Sequence, residues 1–247
     1  MTRYRVLRSI DYEPADEPSL YRRWERNETA TMTAPIAVRS AAYREFLADT
    51  LEPYRCPGDT LLSVGAGNGF VEVELQNRSW DVTATDRADD AVAHCREKGL
   101  RGARLELLED QPIGQFDAIY CDGVLGHLWQ EDSATSTAWL ALAALAARGA
   151  VCLASNDLAD DDHAPTLRVR SAATAEFYRP PAGWFARDAI ATGHWALETE
   201  HIYPYDREGE RRRRELVVMR LLMDDRVVAE SRKESHDPDR TRVREMS

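Results

Sequence analysis

The chain has 247 residues, with 43 acidic against 32 basic side chains and a formal net charge of −11. A nucleic acid or an anionic membrane surface requires a basic face, so this balance argues against both kinds of partner. Apolar side chains make up 43% of the residues and charged ones 30%, which is typical of a globular chain that can bury a core. The first residues show no apolar segment of a secretion signal, so we expect a cytoplasmic protein.

The N-terminal part predicts helices after a polar start at residues 1–16. Helical spacing runs over residues 18–27 and again over residues 34–54. In the second stretch, the apolar side chains that fall on one face are Ile36, Val38, Ala42, Phe46, Leu47 and Leu51. A turn at residues 56–59 ends this region, and we expect residues 1–54 to form an N-terminal segment and helical lid.

From residue 60 onward, apolar runs alternate with helical patterns. The predicted strands are Thr60–Val64, Trp80–Thr85, Arg104–Leu108, Phe116–Cys121 and Ala150–Ser155. The predicted helices are Gly69–Asn77, Asp89–Lys98 and Ser133–Ala147. This alternation predicts a doubly wound α/β fold of the Rossmann-like kind, with a mostly parallel seven-stranded sheet.

The C-terminal third is less regular. Residues 157–185 predict a substrate loop with a helix beginning at Trp184, and residues 196–203 and 215–222 predict two further strands. Between those strands, the arginines at 211–214 are read as part of a solvated hairpin turn, because runs of charge are usually surface features. The α/β domain then spans residues 55–223, and the charged residues 224–247 predict a mobile tail.

A glycine-rich turn follows the first predicted strand in the stretch LLSVGAGNGF. Gly65, Gly67 and Gly69 can take positive φ angles and let a ligand lie against the backbone. The helix that follows presents free N–H groups, and the first strand-to-helix turn is a common ligand site in such sheets. The spacing is GxGxG, with Phe70 where a dinucleotide-binding turn has its last glycine.

This turn resembles motif I of the class I S-adenosylmethionine-dependent methyltransferases. Three further segments match in the family's order: DVTATD, LELLED and FDAIYCDGVLGHL. The resemblance covers residues 56–157. It implies the Rossmann-like methyltransferase fold, S-adenosyl-L-methionine as cofactor and no covalent nucleophile.

The resemblance also implies which residues bind the cofactor. The cofactor-binding candidates are Gly65, Ala66, Gly67, Asp86, Arg87, Leu108, Glu109 and Cys121. Asp86 is placed to accept both ribose hydroxyls, and Glu109, with Asp110 as the alternative, is placed near the adenine amino group. Ser63 is a departure, since many family members have an acidic residue two positions before the first glycine.

The sequence indicates less clearly which residues contact the methyl acceptor. Asp122 and His127 follow the fourth strand and are the catalytic candidates, with a helix N-cap and a packed histidine as the respective structural alternatives. The rings of Tyr21, Trp24 and Tyr178 are substrate-side candidates, with core packing as the alternative.

We expect no metal at the site. The four cysteines include no CxxC pair. A magnesium set of Asp122, Asn156, Asp157 and residues 160–163 is the alternative that a metal-assisted methyltransferase would use.

The function that the resemblance implies is methyl transfer to an oxygen, nitrogen or carbon atom of a small molecule, a metabolite or natural-product intermediate. Alternatives are a cyclase or lyase that uses the same cofactor and releases methylthioadenosine, an NAD-dependent oxidoreductase, and a non-catalytic binding module. The expected partner is a small-molecule substrate, and a homodimer is left open.

Overall fold

The structure, a computed structural model, describes residues 20–26, 34–130, 132–159, 166–168, 177–207 and 209–222. Its α-helices are α1 (Leu20–Glu25), α2 (Ile36–Arg39), α3 (Ala41–Leu51), α4 (Phe70–Asn77), α5 (Asp89–Glu97), α6 (Ser136–Leu145) and α7 (Trp184–Ala191). Two short 3-10 helices cover Glu52–Tyr54 and Leu125–His127. The strands are β1 (Thr60–Val64), β2 (Asp81–Asp86), β3 (Arg101–Arg104), β4 (Phe116–Asp122), β5 (Ala146–Asp157), β6 (Thr166–Arg168), β7 (Phe177–Arg179), β8 (Trp195–Arg207) and β9 (Glu210–Leu221).

Seven of these strands form one sheet in the order β3-β2-β1-β4-β5-β9-β8. The pairs from β3 to β5 are parallel, whereas β9 runs antiparallel to both β5 and β8. Strands β2 and β3 lie on one side of β1, whereas β4 and β5 lie on the other, so the order in which strands are added to the sheet reverses between β1 and β4. The carboxyl ends of these two strands therefore open a crevice where α/β sheets bind ligands. The mostly parallel seven-stranded sheet is confirmed.

The sheet is buried on both faces, because its strands are apolar at consecutive positions and not only at alternate ones. Leu61 faces one core with α3, α4 and α5, whereas Leu62 faces the other core with α6 and α7. The largest fully buried side chains, Trp139 and Trp195, lie in the second core and contact each other edge to face at 5.7 Å. These two layers fix the ends of β1, β2 and β4 relative to one another.

Three element predictions were wrong. The third strand is Arg101–Arg104, and residues 105–108 are loop and turn, because only residues 101–104 pair with β2. Ala42 is exposed on α3, and Tyr43 takes the buried position. The predicted loop also contains a short antiparallel pair, β6 and β7, which shows no apolar alternation long enough to detect.

The solvated turn predicted around the four arginines was also wrong. Strands β8 and β9 pair as far as Arg207 and Glu210, so the arginines lie in a strand. Alternate side chains of a strand point to one face, and Arg212 and Arg214 are buried on the same face while Arg211 is exposed. Two of the four arginines in this run are therefore buried cations.

The predicted tail at 224–247 and the polar start at 1–16 lie outside the described residues. In the part of the chain that the structure describes, no helix is long and apolar enough to cross a bilayer.

Candidate active site

The glycine turn joins β1 to α4 with all three glycines at positive φ: +73° at Gly65, +54° at Gly67 and +72° at Gly69. At Gly65 a side chain is excluded twice, by the φ angle and by Val124, whose Cγ2 would lie 2.3 Å from an added Cβ. The turn is also tied to β2, because the Ala66 N–H donates to the Thr85 carbonyl at 2.8 Å. The backbone is therefore held open toward the crevice.

Asp86 ends β2 directly beside this turn. Its Oδ2 accepts the Gly67 N–H at 3.0 Å, and its Oδ1 accepts the Ala88 N–H at 2.9 Å. Burial raises the pKa of Asp86, and the two backbone N–H donors oppose that shift. Since each carboxylate oxygen has two lone pairs, both oxygens keep one for a ligand hydroxyl. The structure thus brings together the two predicted halves of the adenosine site.

Ser63 and Glu72 meet below the turn. The Ser63 hydroxyl donates to Glu72 Oε1 at 2.6 Å, and both side chains are buried. Burial raises the pKa of Glu72 to about 7, although the hydrogen bond from Ser63 opposes this shift. A carboxylate therefore does lie beside the first glycine, but it comes from the first turn of α4 and not from β1.

A buried charge cluster lies at the end of β4. Asp122 Oδ1 accepts a hydrogen bond from Arg214 Nη2 at 2.6 Å and others from the hydroxyls of Ser155 and Tyr43. A second carboxylate, Asp157, accepts from Arg214 Nη1 at 3.0 Å. One guanidinium thus holds two carboxylates from neighbouring strands in fixed positions. The helix-cap alternative for Asp122 was wrong, because its contacts are in this cluster and the 3-10 helix that follows has no side-chain cap.

These groups surround a small pocket at the crevice. The pocket is lined by the glycine turn, the first turn of α4 as far as Glu72, Tyr120 and Asp122 on β4, and Pro35, Ala37 and Val38 from the N-terminal segment. The hydrogen bonds of Asp122 all go to Oδ1, and Oδ2 has no hydrogen-bond partner among the described residues. The pocket has backbone on one side and two carboxylates on its floor.

Helix α1 lies over the turn. The Tyr21 ring lies 3.6 Å from the position of a Cβ at Gly67, and burial together with the Asp86 charge raises the pKa of Tyr21. Trp24 packs edge to face on Tyr21 at 5.5 Å. The helix is anchored by its Glu25, which accepts from Lys98 Nζ and contacts His94 Nε2, each at 2.7 Å. Helix α1 therefore lies over the turn, and the role of residues 1–54 as a lid remains a prediction.

The adenine-side candidates lie on the loop after β3. The Leu105 N–H donates to the Asp86 carbonyl at 3.0 Å, so this loop starts beside the ribose candidate. Leu108 packs against the core and Glu109 is exposed, whereas Asp110 accepts the Glu106 N–H at 2.7 Å. Arg87 is exposed next to Asp86. These roles remain predictions.

Other predicted residues lie away from the pocket floor. Cys121 is fully buried in the core, and burial raises the pKa of its thiol. His127 is exposed on a 3-10 helix, with its ring 4.7 Å from that of Phe177. Tyr178 is buried and stacks on Trp129 at 4.6 Å. The catalytic role of His127, its packed-histidine alternative and the substrate role of Tyr178 therefore remain predictions.

Asp157, one of the ligands proposed for the magnesium alternative, already belongs to the charge cluster. Asp157 is committed to Arg214 and to the Tyr205 hydroxyl at 2.8 Å. Asn156 donates to the Asp157 and Tyr178 carbonyls, and residues 160–163 lie outside the described residues. No group of metal-ligating side chains is found in the residues that the structure describes.

Sequence reasoning missed Tyr43, Glu72 and Arg214. Glu72 carried one available signal, since an acidic residue on the buried face of a short helix requires an explanation. Tyr43 and Arg214 gave none, because their partner Asp122 is 79 and 92 residues away.

The sheet order, the glycine turn and the carboxylate at the end of the next strand define the fold. They are the features of the class I S-adenosylmethionine-dependent methyltransferase fold. Residues 62–148 match a family model described as a methyltransferase domain. The matched residues therefore lie in a sheet with the fold of solved S-adenosylmethionine-dependent methyltransferases.

Particular proteins resemble the chain over most of its length. A tabtoxin biosynthesis enzyme of Pseudomonas amygdali pv. tabaci is 28% identical over 199 residues, covering 77% of this chain and 76% of that protein. The 1,6-didemethyltoxoflavin-N1-methyltransferase of Burkholderia thailandensis, solved with its substrate and S-adenosylhomocysteine, gives a TM-score of 0.61 at 17% identity over 87% of this chain and 94% of that chain. A glycopeptide N-methyltransferase bound to S-adenosylhomocysteine gives a TM-score of 0.58 at 10% identity over 74% of this chain and 91% of that one.

Proposed function

We propose that the protein transfers the methyl group of S-adenosylmethionine to an oxygen, nitrogen or carbon atom of a small molecule. The observation that carries this proposal is the direct contact between the Gly67 N–H and the Asp86 carboxylate at the crevice of the sheet. This arrangement offers bare backbone and a carboxylate to one adenosine. In the proposed complex, Asp86 accepts the ribose hydroxyls, and the methionine part continues past Gly65 toward Asp122.

Methyl transfer from a sulfonium is an in-line displacement, so its chief requirement is that the acceptor atom lies behind the methyl group. Holding two reactants in this way is worth effective molarities on the order of 10⁵–10⁸ M. The fixed charge cluster of Asp122 and Arg214 suits this positioning task, because its geometry is set before any ligand binds. In this proposal Asp122 Oδ2 orients the ligand, and the cofactor supplies the electrophile.

A proton must leave if the acceptor is a hydroxyl or an ammonium, and His127 is the proposed base. Its exposed ring on the loop after β4 can reach an acceptor that enters from that side. We expect His127→Ala to lower turnover with unchanged cofactor affinity. The matched control is His194→Ala, which removes an exposed histidine that follows α7. Full turnover in His127→Ala would remove the base role.

The lid favours a small acceptor. Helix α1 lies over the turn, and Pro35, Ala37 and Val38 line the pocket, an arrangement that suits a small acceptor better than a polymer. The names of the related proteins point the same way, toward a toxin biosynthesis enzyme and an N-methyltransferase of a small heterocycle. A metabolite or natural-product intermediate is therefore the proposed acceptor class.

The cofactor part can be tested without the acceptor. In a thermal-shift panel, S-adenosylmethionine and S-adenosylhomocysteine should raise the melting temperature and NAD should not, because only a ligand of the folded state stabilises it. Stabilisation by NAD alone would favour the oxidoreductase. With an acceptor in hand, S-adenosylhomocysteine as product supports transfer, whereas methylthioadenosine would support the cyclase or lyase.

A substitution at Asp86 tests its assignment as the residue that binds the ribose. Asp86→Asn keeps the shape of the side chain but loses the charge, and we expect S-adenosylhomocysteine affinity to fall by roughly 10- to 100-fold, as for loss of a hydrogen bond to a charged group. The control is Asp89→Asn, an exposed carboxylate three residues later. Equal calorimetric affinity in both variants would remove the assignment.

A further inference from the structure

Glu72 is buried in an unusual way for a carboxylate. It lies in the first turn of α4, is 2% exposed, and faces the pocket beside Tyr120 and Asp122. Its hydrogen-bond partner is the Ser63 hydroxyl at 2.6 Å, and Ser63 lies near the end of strand β1, two residues before the first glycine. The pair therefore sits at the floor of the crevice, behind Gly65.

The way in which the charge is compensated separates Glu72 from the other acids near the turn. Asp86 also lacks an ion pair, but its carboxylate accepts two backbone N–H groups. Asp122 and Asp157 share the Arg214 cation, and Glu25 has Lys98. Among the described residues, Glu72 has no ion pair, and the titratable groups that face it are Asp122, Asp86, the Tyr120 phenol and the Cys95 thiol.

An uncompensated buried carboxylate is costly, because burial removes water from the charge without replacing it by a cation. At a pocket wall this cost disappears when a ligand brings the missing positive charge. Glu72 therefore identifies the point in the pocket where a cationic group of a ligand is expected.

The orientation of the proposed cofactor in the pocket indicates which of its cationic groups lies near Glu72. In the proposed complex the ribose end lies at Asp86, beside Gly67, whereas Glu72 lines the pocket together with Tyr120 and Asp122, which places Glu72 toward the Asp122 end. S-adenosylmethionine carries its sulfonium next to the ribose and its α-ammonium at the far end. We propose that Glu72, held by Ser63, binds the α-ammonium group of S-adenosylmethionine. This inference rests on the proposed function and names a binding residue within it.

The test compares three ligands and two matched glutamates. Calorimetry at pH 8 measures S-adenosylmethionine, S-adenosylhomocysteine and methylthioadenosine, the last of which lacks the amino-acid part. We expect Glu72→Gln to weaken the first two at least tenfold and methylthioadenosine less than twofold. Glu74→Gln, on the same helix but on its solvent side with Arg78, should change none of the three.

Other outcomes overturn the inference. Equal loss for all three ligands would assign Glu72 to the shape of the turn, and loss for S-adenosylmethionine alone would assign it to the sulfonium. No loss at all would also end the proposal. Failure of the wild-type protein to bind any adenosyl ligand would instead refute the proposed function.

A second variant guards against misfolding of Glu72→Gln. Ser63→Ala removes only the hydroxyl that orients the carboxylate. It should weaken the two amino-acid ligands severalfold and spare methylthioadenosine, and the opposite pattern would contradict the proposal.

Discussion

Two carboxylates line the same pocket but differ in what compensates their charge. Asp122 lies on β4 and receives a guanidinium from Arg214 on β9. Glu72 lies on α4 and receives only a hydroxyl, from Ser63 on β1. The first carboxylate is satisfied by the protein itself, and the second is not.

This difference indicates a division of work. A carboxylate paired inside the protein has a fixed place and gains little from a ligand cation, so it is suited to orientation. A carboxylate without an internal cation has most to gain when a ligand supplies one. The three predictions below test this difference, beginning with the largest expected effect.

Removal of the shared cation should be the most damaging change. Arg214→Met fills the space but leaves Asp122 buried without a cation and Asp157 with only the more distant Arg207 guanidinium at 4.0 Å. We expect a loss of roughly 3–5 kcal/mol in the free energy of unfolding, as for a broken buried ion pair. Urea denaturation measures this. Arg211→Met, at an exposed position of the same strand, should change stability by about 0.5 kcal/mol or less. Similar losses of unfolding free energy in both variants would show that the cluster does not stabilise the fold.

Neutralising one acid of the cluster should cost less. In Asp122→Asn, Arg214 keeps Asp157 as a partner, so we expect a loss of about 1–3 kcal/mol in the same urea experiment. The double variant Asp122→Asn/Arg214→Met should show strong coupling, since removing both partners leaves fewer unpaired charges. Additive losses would mean that the two side chains act independently.

The smallest effect is a pH dependence of binding. Because the pKa of Glu72 is raised to about 7, most of this carboxyl is protonated at pH 6, and it must lose that proton to pair with an ammonium. Binding then releases a proton, so S-adenosylmethionine affinity should rise by up to about tenfold from pH 6 to pH 8.

Matched variants locate this pH dependence. Asp122, Asp86, Tyr120 and Cys95 face Glu72 and set its surroundings. The pH slope, measured by calorimetry, should vanish in Glu72→Gln and persist in Glu74→Gln. A slope that survives in Glu72→Gln would belong to another group.

Local sequence patterns predicted most of the fold, and they also predicted the glycine turn and Asp86 as neighbours in the candidate site. Strand β1 and the glycine turn were predicted at their observed places, because an apolar run followed by glycines has few alternatives. The third strand was misplaced since Leu105–Leu108 is apolar enough for a strand, but pairing with β2 ends at Arg104. Apolar character marks burial and does not by itself mark strand pairing.

By itself, the sequence determined the layered α/β architecture and the turn that faces Asp86, and it predicted the class of cofactor, because each depends on residues within a few positions of a strand end. Only the tertiary structure decided that Arg214 is a buried cation, that Tyr43 joins it, and that Glu72 faces the pocket. The physical reason is that charge compensation depends on distance in space. Asp122 and Arg214 are 92 positions apart along the chain, and only the sheet order β4-β5-β9 brings them within 2.6 Å.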